Sequence, residues 1–448
     1  MVQADHDVRR LFGRIAWPAS VEGLLLVLLS SVDLIMVSGL GAEAAAAVGV
    51  FSQPKLVLLC APRAFSVAVT VRCAHLHGQK QQDVLAQSLK QVLVVSGAGG
   101  LIMLLAAWYA LEPLLRAAGA QPDYLLQAIQ YGRPMLVSLY FTALSTVLQG
   151  GLLGIGRTRI ILVSNVLGNA MNIVVNALLI YGLGPFPRMG VTGAGLGTAV
   201  GAGLTLGMTV ASLCRGEAWL CGRTGWMPVR AQMQPLTGMF LSALAEQSTE
   251  RVGMFLYSRM AAGLGTIPFA VHTICMNLCD VYYCFAQGIG KASLSLAGYW
   301  TGLGDQDNLH RLRQLCYKWS TVLGLLAMGA YILSRHGLLY FYQLESDAYT
   351  LASHILLMVG VVSIPETWSL LCAGMLRGLG QIRYVAVYSL VSIALIRPVL
   401  TWLLCYGLQW SLYGAWFSLM LDQTMRASCA YGRLRRLLPK SQIETSNS

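Results

Sequence analysis

Twelve long apolar runs, each bounded by glycine, proline or charged residues, follow one another along the sequence. A transmembrane helix needs about 20 apolar residues, and each run is long enough to cross a membrane. The pattern therefore predicts an all-α integral membrane protein with twelve transmembrane helices. Their approximate bounds are 12–38, 46–73, 91–112, 128–150, 160–183, 190–213, 234–263, 268–300, 315–337, 350–374, 384–406 and 411–432.

The composition agrees with this prediction. Hydrophobic residues make up 56% of the 448 residues and charged residues only 11%, whereas an average soluble domain is about 45–50% apolar and about 25% charged. The chain therefore cannot supply the surface of a water-soluble protein. The eleven cysteines are scattered without a C-x-x-C pair, so neither a disulfide framework nor a zinc site is indicated, and no cofactor is expected.

The distribution of positive charge predicts the orientation in the membrane. Lysine and arginine outnumber aspartate and glutamate by 31 to 19, and such an excess collects in cytoplasmic loops. With both termini in the cytoplasm, twenty Lys and Arg residues fall on that side and three, Arg116, Arg188 and Arg335, on the other. We therefore expect a multi-pass membrane protein with cytoplasmic termini and no nucleic-acid partner.

Two motifs recur 224 residues apart. PASVEGLLLVLLSSVDLIMVSGLG at 18–41 is echoed by SALAEQSTERVGMFLYSRMAAGLG at 242–265, and GIGRTR at 154–159 is echoed by GLGQIR at 378–383. Toward the end, Gly193 matches Gly414 at an offset of 221. Six helices per repeat put both repeats in the same orientation, as in carriers with a central cavity between two parallel halves.

These repeats predict the domain organisation. We expect an N-terminal six-helix bundle in residues 1–214, a cytoplasmic linker in 215–233 and a C-terminal six-helix bundle in 234–448. The central cavity would lie between the two bundles.

Five segments in order resemble one known family. They are VDLIMVSGLGAEAAAAVG, LLGIGRTR, NVLGNAMNIVVNALLIYGLG, MGVTGAGLGTAV and GMLRGLGQIR. Together they resemble the multidrug and toxic compound extrusion (MATE) transporters. The resemblance implies a secondary active antiporter, not an enzyme, that exports organic cations or other amphipathic drugs in exchange for H⁺ or Na⁺ by alternating access. We accordingly expect a monomer in the lipid bilayer of the bacterial inner (plasma) membrane.

Asp33 is the first candidate for a coupling group. It follows Arg14 by 19 residues, which places it about 28 Å along the first helix, in the outer half of the bilayer. Ionisable groups inside a bilayer mark a transport pathway or a paired structural site. In the family that the chain resembles, an aspartate occupies this place and exchanges a proton for a cation. The alternative is a salt bridge with Lys55 or Arg63.

Asparagines form a stripe on the fifth helix, because they are spaced four, three and four residues apart. They are Asn165, Asn169, Asn172 and Asn176. Amides in a membrane also join helices, which is the expected role of Asn165 and Asn169. The resemblance places Asn172 and Asn176 opposite Asp33, with one carboxylate there and not two. Thr198 either adds a hydroxyl to this cluster or serves packing.

The resemblance also points to two carboxylates in the second half. Glu250 lies 15 residues before Gly265, and Glu366 lies 11 before Arg377. These spacings match the carboxylates of the sodium-using branch of the family, and oxygen ligands suit Na⁺.

Other interpretations of these two carboxylates stay open. Glu250 could pair locally with Arg251 or Arg259, and Glu366, just after Pro365, could cap a broken helix end. The sequence does not pair the acids of the apolar runs with the bases.

Three further acids are candidate gating or substrate-contacting groups. Glu22 and Glu246 occupy the same position in the two repeats, toward the cytoplasmic end, and are expected to be structural or gating groups. Asp280 shares a face of the eighth helix with Lys291, where it either contacts substrate or neutralises its neighbours.

The alternative functions are a flippase for lipid-linked precursors or a dedicated metabolite exporter, both with a related two-bundle plan. An integral membrane enzyme would need clustered His, Asp or Glu at a cytoplasmic edge, and the sequence has no such cluster. A receptor without transport activity does not account for the repeated halves.

Overall fold

The structure, a computed structural model, describes residues 2–215, 225–340, 342 and 344–439. Across these residues the chain is helical and has no β-strand, which confirms the predicted all-α class. The predicted linker falls partly outside the described residues, because 216–224 are not among them, and so does the end of the chain from residue 440 onward.

The described helices before the linker follow the predicted runs, with two differences. The second run is interrupted at Leu59, because Pro62 has no N–H to donate to the carbonyl of Leu58. A short helix, Leu111–Ala117, follows the third run and was not predicted. The helices are α1 (Val2–Ser38), α2 (Ala42–Leu58), α3 (Cys60–Gly78), α4 (Gln82–Tyr109), α5 (Leu111–Ala117), α6 (Pro122–Gly154), α7 (Thr158–Tyr181) and α8 (Gly190–Arg215).

The helices after the linker also follow the predicted runs. The eleventh run is one rod in which two π-helical segments, Val391–Ile396 and Leu403–Gly407, alternate with α-helix. The α-helices are α9 (Arg230–Ala262), α10 (Thr266–Leu303), α11 (Gln306–Tyr340), α12 (Ser346–Gly378), α13 (Ile382–Leu390), α14 (Arg397–Trp402) and α15 (Ser411–Leu437).

Ten segments within the described residues are long and apolar enough to cross a membrane. The other two predicted crossings are α9 and α15, which are 33 and 27 residues long. Both carry several charged side chains within their apolar sequence, among them Glu246 and Arg426. The helices therefore correspond to the twelve predicted runs.

The chain divides into two compact units. Among the described residues, the amino-terminal unit comprises those within Val21–Leu244, and the carboxy-terminal unit comprises those from Ala245 onward together with those up to Ser20. In the amino-terminal unit, apolar side chains of α3, α4 and α6 form one core cluster. In the carboxy-terminal unit, α10, α12 and α15 supply most of the core.

Small residues let corresponding helices approach closely in each unit. A Cβ atom on Gly154 of α6 would lie 2.6 Å from the carbonyl oxygen of Thr70, and one on Gly378 of α12 would lie 2.5 Å from that of Leu294. Both the glycines and their partners are 224 residues apart. The sequence repeat is therefore also a repeat of helix packing, as the fold class predicted.

We expect Gly150→Ala to lower the thermal stability of the protein. Alanine normally favours a helix over glycine by about 1 kcal/mol, but this Cβ would lie 2.6 Å from the carbonyl oxygen of Ser66. Overpacking of this kind costs about 1–3 kcal/mol. The melting temperature of the purified protein in detergent measures the effect.

Gly99→Ala on α4 is the matched control, because its Cβ would meet no atom within 4 Å. An unchanged or higher melting temperature for Gly150→Ala, as expected for the control, would contradict the close approach of α3 and α6.

Candidate functional site

Polar side chains join α1 to α7 at two levels of the amino-terminal unit. Asn165 Nδ2 donates to Glu22 Oε1 at 2.6 Å, and Asn176 Nδ2 donates to Asp33 Oδ1 at 3.0 Å. The two contacts are separated by 11 residues on each helix, which is about three turns or 17 Å. The asparagine stripe of α7 therefore follows one face of α1.

Neutral amides surround Asp33. The Asn172 amide is oriented so that its nitrogen and its oxygen both find hydrogen-bond partners. Its nitrogen donates to both carboxylate oxygens of Asp33, at 2.8 and 2.9 Å. Its oxygen accepts from Asn176 Nδ2 at 3.2 Å and from the Thr198 backbone N–H at 3.0 Å. Asn172 and Asn176 are 4% and 1% exposed. The structure thus brings together the four residues that the sequence assigned to this cluster.

Lys55 is the basic residue that interacts electrostatically with Asp33. In the described part of the chain, no ion pair within 4.0 Å joins these two residues, so the salt bridge with Lys55 considered from the sequence is not formed. The direct partners of Asp33 are uncharged, and its negative charge is not cancelled by contact.

A second cluster surrounds Glu22. Asn165 donates to Glu22 and accepts from Gln149 Nε2 at 2.9 Å. The Asn169 amide donates instead to the backbone carbonyl of Asn165, on its own helix, at 2.8 Å. The hydrogen bonds of Asn165 therefore join helices, as predicted. The prediction is wrong for Asn169, whose hydrogen bond stays within its own helix.

In the carboxy-terminal unit, the repeat partner of Glu22 has a charged neighbour. Arg377 Nη2 lies 2.5 Å from Glu246 Oε1, and Glu246 is 4% exposed. Arg377, which the charge count places in a cytoplasmic loop, belongs to the last turn of α12. At the same position of the two repeats, Glu22 thus contacts an amide and Glu246 contacts an arginine.

Glu250 and Glu366 contact one face of α10. Tyr283 Oη donates to Glu250 Oε1 at 3.4 Å, and Cys279 Sγ lies 3.9 Å from Glu366 Oε2. Cys279 and Tyr283 are four residues apart and therefore neighbours on the helix surface. Glu250 of α9 and Glu366 of α12 thus approach adjacent positions of a third helix.

The environment of Glu366 excludes the capping interpretation. Helix α12 continues through Pro365 without a break, so there is no helix end for Glu366 to cap. Its side chain is 7% exposed. Among the described residues, no group of three or more His, Cys, Asp or Glu side chains is placed to hold a metal ion.

Asp422 and Arg397 form a buried ion pair that the sequence could not assign. Arg397 Nε donates to Asp422 at 3.0 Å and Nη2 donates to the same carboxylate, while Ser392 Oγ donates to its other oxygen. Asp422 and Arg397 are 0% and 3% exposed. The guanidinium lies 5.9 Å from the ring centre of Tyr257. This cluster is neutral overall.

Sequence reasoning missed Arg426, which interacts electrostatically with Asp422, Glu250 and Glu246. A basic residue inside the last apolar run is the signal that could have found it. Asp280 is exposed and interacts electrostatically with Arg251.

Comparisons with known proteins agree with this architecture. The MatE family model matches residues 18–178 and 243–403, one match in each repeat. The "Probable multidrug resistance protein NorM" of Rhizobium meliloti is 25% identical over 423 residues, covering 92% of this chain and 89% of the relative. The protein of the same name from Agrobacterium fabrum is also 25% identical, over 431 residues, covering 92% and 90%.

Solved structures show the same fold. A mutant form of the Vibrio cholerae MATE transporter VcmN superposes with a TM-score of 0.91 at 14% identity, covering 99% of this chain and 100% of the other. A MATE transporter of the MOP superfamily in an outward-facing conformation superposes with a TM-score of 0.87 at 20% identity, covering 96% of each chain. With the family model matched once in each repeat, the chain belongs to the MatE family of multidrug efflux transporters.

Proposed function

We propose that this protein is a secondary active antiporter that exports organic cations or other amphipathic drugs in exchange for H⁺ or Na⁺ by alternating access. The observation that carries the proposal is the Asp33 carboxylate, held by the amides of Asn172 and Asn176 and not paired with a base. The relatives named for multidrug resistance favour drugs over lipid-linked precursors as the cargo.

The neutral surroundings of Asp33 suit an exchange site. A carboxylate paired with arginine must break that pair to bind another cation, whereas one held by amides keeps its charge available. Asn176 Oδ1 is buried and, in the described part of the chain, has no hydrogen-bond donor. The oxygen atoms of Asp33 and Asn176 therefore bind either a proton or a cationic substrate, but not both at once.

Glu250 and Glu366 form a second proposed coupling site, for Na⁺. Glu366 is buried beside a thiol, and no basic nitrogen lies within 4.0 Å of it among the described residues. A hard cation would offset this negative charge. Because two carboxylates are too few ligands, hydroxyl or carbonyl oxygens of the neighbouring helices or water would complete the coordination.

The two pairs near the start of each repeat are proposed to act in gating. Glu22 with Asn165, and Glu246 with Arg377, each tie the first helix of a repeat to another helix. Releasing these contacts would let that helix move. Thr198 is proposed to position Asn172, and the exposed Asp280 to contact substrate.

Accumulation of a fluorescent organic cation in cells tests the proposed function. Cells that express the protein should accumulate less dye than cells with an empty vector, and an uncoupler of the proton and sodium gradients should remove the difference. Equal accumulation in both strains, or a difference that survives the uncoupler, would overturn gradient-driven export.

We further propose that the protein is a monomer of the bacterial inner membrane with both termini in the cytoplasm. The multi-pass character and the family support the membrane location. On a cysteine-free background, an impermeant thiol reagent added to intact cells should label Phe186→Cys and not Thr445→Cys, because the positive charges predict that only residue 186 is outside.

Cell lysis is the control, since both cysteines should then react. Labelling of Thr445→Cys and not Phe186→Cys in intact cells would reverse the proposed orientation.

A further inference from the structure

Contacts within each unit define which residues of the two repeats correspond. Tyr181 Oη donates to the Met36 carbonyl at 3.2 Å, and Tyr406 Oη donates to the Met260 carbonyl at 2.7 Å. The offsets are 260 − 36 = 224 for the first helix of each repeat and 406 − 181 = 225 for the fifth.

The sixth helix of each repeat has a different offset. A Cβ on Gly193 would meet Leu179, and one on Gly414 would meet Leu404. The fifth-helix offset is again 404 − 179 = 225, and the sixth-helix offset is 414 − 193 = 221. Three constant offsets therefore relate the helices of the two repeats.

With these offsets, the Asp33 cluster has a counterpart of opposite charge. Asp33 corresponds to Tyr257 by 224, and Asn172 corresponds to Arg397 by 225. Gly201, whose Cβ would meet Asn172, corresponds by 221 to Asp422, the partner of Arg397. The first repeat thus has an acid that accepts hydrogen bonds from amides, and the second has an arginine that is paired with an acid.

A further contact supports the same correspondence. A Cβ on Gly197 would meet the Asn176 side chain. Their counterparts are Ser418 and Thr401, whose hydroxyl oxygens lie 2.7 Å apart. The contacts of Asn172 with Asp33 and Gly201, and of Asn176 with Gly197, are therefore matched in the second repeat, although the side chains differ.

We propose that Arg397 is a tethered cation that permanently fills the second-repeat counterpart of the Asp33 site, so that at this level a mobile cation is exchanged in the first repeat alone. The inference rests on the proposed antiport. Arginine stays protonated in proteins, and its two bonds to Asp422 fix it in place. In this role Arg397 is a positioning residue that acts through Asp422.

The surroundings of the pair agree with a fixed cation. The third guanidinium nitrogen, Nη1, contacts Met254 Sδ at 3.2 Å, a weak acceptor, and the aromatic ring of Tyr257 lies alongside. Glu366 and Arg426, which carry opposite charges, also interact electrostatically with the pair. Removing the charge of Arg397 would leave the Asp422 carboxylate without its direct partner.

The test compares Arg397→Gln with the double variant Arg397→Gln/Asp422→Asn. In the single variant Asp422 loses its cation, and a mobile Na⁺ or a proton should take its place. Its melting temperature in detergent should rise by at least about 2 °C when 100 mM choline chloride is replaced by sodium chloride, or when the pH is lowered from 8 to 6. The double variant lacks the acid and should show no rise beyond that of the wild type.

Transport provides a second readout. Efflux by Arg397→Gln in proteoliposomes should fall about tenfold, because a buried pair loses one partner, and Na⁺ or low pH should restore part of it. The double variant should transport like the wild type and gain no more from Na⁺ or low pH than the wild type does. Arg116→Gln, which breaks the exposed pair with Glu112, is the control.

Two outcomes would overturn the tethered cation. One is a single variant that responds to Na⁺ and pH no more than the double variant does. The other is a double variant as defective in transport as the single one. The melting measurements need no transport, so a wild type that fails to export drugs would refute the proposed function and leave this inference testable.

Discussion

Asp33→Asn is expected to abolish uphill export while leaving the protein folded. The substitution keeps the size of the side chain and its capacity for hydrogen bonds, and the amides of Asn172 and Asn176 can rotate to donate to it or accept from it. It removes the charge that binds a proton or a cation. Transport against a gradient should therefore be lost, while the melting temperature of the purified protein stays close to that of the wild type.

The size of the effect follows from the energy of coupling. A pH difference of one unit supplies about 1.4 kcal/mol per proton, which sustains about a tenfold gradient of a monovalent cation exchanged for one proton. In proteoliposomes with an imposed pH gradient, the wild type should concentrate a fluorescent monovalent cation by about this factor per pH unit. Asp33→Asn should reach only equilibration.

Asp83→Asn is the matched control, because this exposed carboxylate in the first turn of α4 lies outside the polar clusters. It should concentrate substrate as the wild type does. A wild-type gradient and wild-type proton exchange in Asp33→Asn would remove Asp33 from the coupling mechanism.

Glu366→Gln and Glu250→Gln are each expected to abolish sodium-driven efflux. Both carboxylates approach α10 and neither forms an ion pair within 4.0 Å in the described part of the chain. Glutamine keeps one oxygen ligand but removes the charge that attracts Na⁺. We expect the larger loss for Glu366→Gln, because Glu366 is the more buried of the two.

The measurement uses proteoliposomes under two separate driving forces. Efflux is followed under a sodium gradient at clamped pH, and then under a pH gradient without sodium. The control is Glu345→Gln, an exposed carboxylate just before α12. Efflux that follows only the pH gradient and survives both substitutions would reduce Glu250 and Glu366 to structural groups and leave Asp33 as the sole coupling group.

Much of the fold could be predicted from the sequence, because helices in a membrane must be continuously apolar. The same apolar runs hid the details within them. Neither the interruption at Leu59 nor the π-helical segment Val391–Ile396 changes the hydrophobicity of its run. Boundaries at the ends were underestimated, since α1 extends to Val2 through polar residues that lie before its first apolar run.

The candidate site was predictable where periodicity along one helix determined it. The asparagine spacing of α7 put Asn172 and Asn176 on one face, and the structure places that face against Asp33. The pairing of Asp422 with Arg397 could not be predicted, because it depends on the rotation of two helices about their axes. Several bases were available to each acid, and their order in the chain does not choose among them.

The π-helical segment Val391–Ile396 has an evolutionary consequence. If both halves descend from one duplicated gene, the change of offset from 224 at Gly378 to 225 at Tyr406 records a one-residue insertion between them. In an ordinary α-helix such an insertion would rotate every later side chain by about 100°. A wider π turn absorbs the extra residue, so that Tyr406 still meets the Met260 carbonyl as Tyr181 meets that of Met36. Duplicated membrane proteins can therefore diverge in length inside a helix, and not only in their loops, without losing ancestral contacts.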